Sequence, residues 1–97
     1  MPHFVTLYRY TQKGMSTIKD SPARVEAVKK LAESLGGKVH ATYLTLGRCD
    51  GVVISEFPDN QSGAKFTLAI GQLGNVTTET LAAFTQDEFR KMAASLP

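Results

Sequence analysis

Cys49 stands between Arg48 and Asp50, with Gly47 and Gly51 on the outside, so one short turn holds a thiol, a guanidinium and a carboxylate. The guanidinium favours a thiolate and the carboxylate opposes it, leaving the balance open. One reading of Cys49 is a nucleophile or redox-sensitive thiol. The reading that leads is packing, because free cysteine behaves as a small hydrophobe. Asp50 reads first as a pin for the turn and only second as a catalytic carboxylate. The two glycines let the backbone bend sharply and approach other groups closely. Loops at strand ends carry function more often than strand interiors do. If the chain binds a small molecule, this turn should therefore border the pocket.

Other candidates are scattered. Strand alternation puts His40 and Tyr43 on opposite faces, where they do not act as a pair. His40 suits a general base or one metal ligand. His3 is the only other histidine and neither HxH nor HxxxH spacing occurs, so no metal site is expected. Tyr8, Tyr10 and Tyr43 suit the lining of a pocket for a planar organic ligand, and satisfied core aromatics would look the same. Lys13, Gly14, Lys19 and Arg24 lie near a helix start that suits a carboxylate or phosphate. The segment lacks the glycine density of a phosphate cradle. Glu56 and Glu79 fall on strands that the sequence does not bring together. A free Pro2 amine is the general base of tautomerase-type enzymes, but many unrelated chains begin Met-Pro, and that reading is set aside. The candidate ligand-binding residues are thus Tyr43, Cys49, Asp50 and Arg24, with no catalytic set, metal or cofactor expected.

The elements that must position them follow from pattern. Strands are expected over 3–10, 38–46, 50–57 and 75–84, where β-branched and aromatic residues concentrate. Helices are expected over 22–35, 59–73 and 86–95, from apolar residues at helical spacing. Ser21-Pro22 and Pro58-Asp59-Asn60 supply helix starts, Thr85-Gln86-Asp87-Glu88 a capping box, and Gly36-Gly37 and Gly74-Asn75 the stops. Residues 11–21 read as a long loop. Gly63 and Gly71 weaken the second helix, which suggests close packing at both.

Two β-α-β units joined by a tight turn make the split ferredoxin-like βαββαβ pattern, an α+β class with both main helices on one face of an antiparallel sheet. The first three strands are apolar on both faces. Val5 and Leu7 oppose Phe4, Tyr8 and Tyr10; Val39, Ala41 and Tyr43 oppose Leu44 and Leu46; Val52 and Ile54 oppose Val53 and Phe57. A sheet with one solvated face should alternate. A second copy of the chain is the natural cover.

Bulk composition narrows the function classes. Ninety-seven residues make one domain, and 42% hydrophobic content is ordinary for a globular protein. Eleven Lys and Arg are interspersed with nine Asp and Glu, for a formal charge of +2 and no basic run, so no nucleic-acid footprint is expected. A single cysteine excludes an internal disulfide and a cysteine-based zinc cluster. No apolar run approaches the roughly 20 residues of a membrane span and no leader pattern opens the chain, so the expected address is the cytoplasm.

The turn Leu46-Gly47-Arg48-Cys49-Asp50-Gly51, then Val52-Val53 and Glu56-Phe57-Pro58-Asp59, resembles the signature of the GYD-domain family, small bacterial proteins named for a Gly-x-Tyr-Asp segment. The resemblance extends through Thr11–Gly14, Ile18–Arg24 and Leu73–Thr80 and so covers nearly the whole chain. It implies the fold of dimeric α+β barrel proteins, a group that includes cofactor-independent monooxygenases, muconolactone-type isomerases and haem-degrading enzymes, and it implies no common chemistry. Cys49 replaces the namesake tyrosine, so a phenol's role there does not carry over. The expected function is a homo-oligomeric small-molecule-binding or sensor-like domain, with self and a small organic ligand as partners. The alternatives are a cofactor-independent monooxygenase- or isomerase-like enzyme and a purely structural partner module.

Overall fold

The computed structural model describes residues 1–97. Four strands, β1 (His3–Tyr10), β2 (Lys38–Leu44), β3 (Gly51–Glu56) and β4 (Val76–Ala83), form one sheet in the order β2-β3-β1-β4, with every pair antiparallel. Four helices accompany them: α1 (Gln12–Ser16), α2 (Ser21–Ser34), α3 (Asn60–Gln72) and α4 (Gln86–Ala94). This is the ferredoxin-like arrangement expected from the pattern, with strand and helix ends within two residues of those expected.

The core lies between the sheet and α2 with α3. Phe4 from β1, Ala32 from α2, Phe57 after β3, and Phe66 and Ile70 from α3 are buried together, with Val28, Leu31, Leu35, Val39 and Val76 packed around them. Phe57 and Phe66 are tilted rings 4.9 Å apart, a favoured aromatic geometry. Gly63 belongs to this packing, because a Cβ there would press into the Phe4 ring. Gly71 does not; nothing lies near it, so its expected close approach is absent.

Three local features differ from the sequence reading. Residues 11–21 are ordered structure, not loop. Thr11 caps α1 by accepting a hydrogen bond from Gly14 N, and a 3₁₀ turn over Ile18–Asp20 leads directly into α2. Gly14 is tolerated in α1 because a side chain there would collide with the Asn75 carbonyl. The preceding turn also moves the α2 cap position to Asp20, which makes no side-chain cap bond, while Ser21 Oγ lies 3.0 Å from the Tyr10 hydroxyl. Finally, β2 carries a bulge between Val39 and Ala41. Val39 pairs with Ser55 and packs into the core, whereas Ala41 and Tyr43 pair with Ile54 and Val52 on the opposite, helix-free face. Strict alternation would put all three on one side. Leu44 ends the strand, and Leu46 is 98% exposed beyond it.

Candidate functional site

The even-numbered residues of β1 point toward the helices, and toward the Tyr10 end the core opens into a cavity of about 150 Å³. Its floor is Thr6, Tyr8 and Tyr10 of β1 with Val53, Val76 and Thr78 from neighbouring strands; Val25, Val28 and Leu31 of α2 and Ile70 and Leu73 from the α3 end form the roof. The lining is mostly apolar, with hydroxyls and Asn75 at intervals. Such a mixture of apolar walls and few convergent polar groups is typical of small-molecule sites. Tyr8 and Tyr10 meet edge to face, 5.6 Å between ring centres. Burial, helped by the neighbouring Tyr10 phenol, pushes the Tyr8 hydroxyl up to about 12, so it stays a neutral donor.

The structure separates the four expected ligand residues. Arg24 lines the cavity, but its guanidinium is engaged with backbone. It donates to the Thr17 carbonyl at 3.1 Å, to Thr17 Oγ1 at 2.9 Å and to the Gly14 carbonyl at 3.2 Å, which ties α1 and the 3₁₀ turn onto α2. Asp50 is the pin that its position suggested. Its carboxylate accepts from Tyr10 N at 2.8 Å while its own N–H donates to the Tyr8 carbonyl at 2.8 Å. It therefore holds the turn against the β1 residues that line the cavity, without lining it. Gly51 follows in close contact with the Tyr8 ring, where a Cβ would overlap the phenol.

Cys49 and Tyr43 are elsewhere. Cys49 is half-buried, its Sγ 3.5 Å from Thr45 Oγ1, and borders a shallow hollow of about 430 Å³ with Leu7, Arg9, Arg48, Thr77 and Glu79. Tyr43 is 60% exposed on the helix-free face. Glu56 and Glu79 share that face but do not meet, since Glu56 pairs opposite His3 and Glu79 opposite Leu7, on different sides of β1.

One cluster was not legible from spacing. The β2 bulge brings His40 onto the same face as Tyr43, where its Nε2 lies 2.9 Å from Glu56 Oε1; His3 Nε2 is 3.9 Å from the same oxygen. The hydrogen bond from His40 holds the Glu56 carboxyl below its usual range. The three residues come from three adjacent strands and are 16 or more positions apart, so no short motif announces them.

A ferredoxin-like α+β domain with a sheet–helix cavity and an uncovered sheet face defines the class of protein. The chain belongs to the GYD domain family, whose model matches residues 4–93. It is 34% identical over 84 residues to a Thermus thermophilus protein named glutamine synthetase and cystathionine beta-lyase binding protein, a match that spans 86% of this chain and 88% of that one. It is also similar to the crystal structure of TTHA0845 from Thermus thermophilus, at 25% identity and a TM-score of 0.57 over 88% of this chain and 95% of the other.

Proposed function

We propose that this chain is a homo-oligomeric, small-molecule-binding module of the sensor type, which acts through binding and not through turnover. The cavity carries the reading. It is large enough for a compact organic molecule and mostly apolar, and its polar groups are hydroxyls, an amide and the Arg24 guanidinium, which is already bonded to Thr17 and Gly14. No His, Cys, Asp, Glu or Lys lines it, and its most perturbed group, Tyr8, is held neutral well above physiological pH. General acid–base chemistry needs a group poised near the working pH. The monooxygenase- or isomerase-like alternative lacks such a group in the cavity.

The name of the Thermus relative, a binding protein for two metabolic enzymes, supports a protein partner as the output of such a sensor. In this reading, ligand in the cavity presses on α2, whose Val25, Val28 and Leu31 form the roof, and so adjusts the surface offered to the partner. The test is an amide NMR titration of the wild-type protein with a panel of small planar and branched organic molecules. Binding should shift Tyr10, Val28 and Thr78 together, and Val28→Phe, which fills the cavity, should abolish the shifts while keeping the fold. If no panel member moves those amides, or if Val28→Phe leaves the shifts intact, the reading fails.

A further inference from the structure

On the sheet face away from the cavity, we propose that His3, His40 and Glu56 form a binding site for a divalent first-row transition cation, with zinc as its best probe. The proposal is independent of the cavity and rests on different residues.

The strand register assembles the site. His3 opens β1 and pairs with Glu56 at the end of β3, and β2 runs along the other side of β3. Val39 points into the core, so His40 after it points to the helix-free face. The bulge between Val39 and Ala41 leaves His40 as the extra residue of β2, with its ring against the Glu56 carboxylate. Bulges commonly re-aim a side chain beside a functional site. The two imidazoles lie nearly parallel, 9° between planes and 5.6 Å between centres, on one side of the carboxylate.

The separations bracket those of a bound ion. Ligand atoms from the three residues all fall within 4.8 Å of one another, at 2.9 Å for His40 to Glu56 and 3.9 Å for His3 to Glu56. Zinc bonds of about 2.0–2.2 Å in tetrahedral geometry separate ligand atoms by roughly 3.3–3.5 Å, within the span seen. Small side-chain rotations close the set around a cation. Two imidazoles and one carboxylate are the donors that zinc, iron(II) and nickel share. Three protein ligands leave one position for water.

His3 supplies a second observation. Its Nδ1 is buried without a partner, and its Nε2 stops at 3.9 Å from the carboxylate, beyond hydrogen-bond range. The ring therefore sits beside an anion and hydrogen-bonds to nothing in the protein. A cation on Nε2 gives that nitrogen and the carboxylate a common partner. In the single chain His3, His40 and Glu56 are each about a quarter to a third exposed, so solvent ions reach them before any second copy covers the face.

The experiment uses tag-free, chelator-treated full-length protein, titrated with zinc by calorimetry and with cobalt(II) by visible absorption. One ion per chain and a cobalt spectrum of nitrogen–oxygen ligation are expected. His40→Ala and Glu56→Gln, checked for native circular dichroism, should each weaken zinc binding tenfold or more, and Cys49→Ser should leave it unchanged. Zinc should also raise the melting temperature of the wild type and not of either variant. Zinc binding no tighter in the wild type than in the His40→Ala/Glu56→Gln double variant overturns the proposal. So does binding that needs Cys49.

Discussion

Asp50 shows what the family's turn is for in this chain. A carboxylate accepting from Tyr10 N, on a residue whose own N–H bonds the Tyr8 carbonyl, stitches the β2–β3 turn to the end of β1. Hydrogen bonds to a charged group are worth about 1.5–3 kcal/mol, and an orphaned N–H adds a desolvation penalty. Asp50→Ala should therefore destabilise the protein by about 2–3 kcal/mol in urea unfolding. Cys49→Ser should cost much less, since the one hydrogen-bond contact of Cys49 Sγ is the Thr45 hydroxyl at 3.5 Å. Tyr8 gives a second expectation. A phenol at about 12 in the fold and 10.0 when unfolded favours the native state at every pH below 10. That contribution is lost as pH rises from 10 to 12. Absorbance titration should show a late tyrosine ionisation, and Tyr8→Phe should remove it. Asp50's structural role was legible because a carboxylate between glycines in a turn has few other uses. Tyr43 was not legible, because a tyrosine on a two-sided apolar strand carries no mark of which face it takes.

At the scale of elements, the caps of α3 and α4 were read correctly and the serine cap expected for α2 was not, because the 3₁₀ turn before it moves the cap to Asp20. Asp59 caps α3 by accepting from Ser62 N at 2.8 Å, and Thr85 with Glu88 forms the reciprocal box that starts α4. That bond holds the Asp59 carboxyl below its usual 3.8, so the cap contributes fully above that value and fades as pH falls through the lowered one. Asp59→Asn, which keeps the acceptor without the titration, should flatten the acid limb of stability relative to wild type. What stayed hidden was cooperative. The short α1 contains a glycine and no helical periodicity, and exists because Arg24 and Asn75 hold it from outside. The β2 bulge is likewise a tertiary outcome: Val39 is drawn into the core beneath α2, and the strand must gain a residue to let Ala41 and Tyr43 face the other way. Nothing within Lys38–Leu44 signals it, nor the meeting of His40 with Glu56 on the neighbouring strand.

As a single chain the molecule leaves one sheet face without helices. Its accessible surface is 6654 Å², against about 5,400 Å² expected for a monomer of its 10.5 kDa mass. Its radius of gyration, 14.5 Å, exceeds the roughly 12.5 Å of a compact domain this long, and one dimension is only 17 Å, the depth of a sheet and one helix layer. The excess of about 1,200 Å² is more than the roughly 800 Å² that each partner contributes to a standard interface. Apolar side chains line the sheet where it has no helices. Val5, Leu7, Ala41, Tyr43, Val52, Ile54 and Leu81 share that face by register, and α4 leaves Phe89, Met92 and the following Leu96 exposed beyond β4. A second copy laid sheet to sheet would cover this face, with the exposed side of α4 available to clasp it. The expected solution mass by light scattering is therefore twice 10.5 kDa or a higher even multiple. Ile54→Asp, on the open face, should yield a folded monomer. Val53→Asp, one residue earlier and 8% exposed beneath the helices, should unfold the chain instead, because it buries an unpaired charge in the core. A wild type that scatters as 10.5 kDa at micromolar concentration refutes the assembly, and so does an Ile54→Asp variant that keeps the wild-type mass.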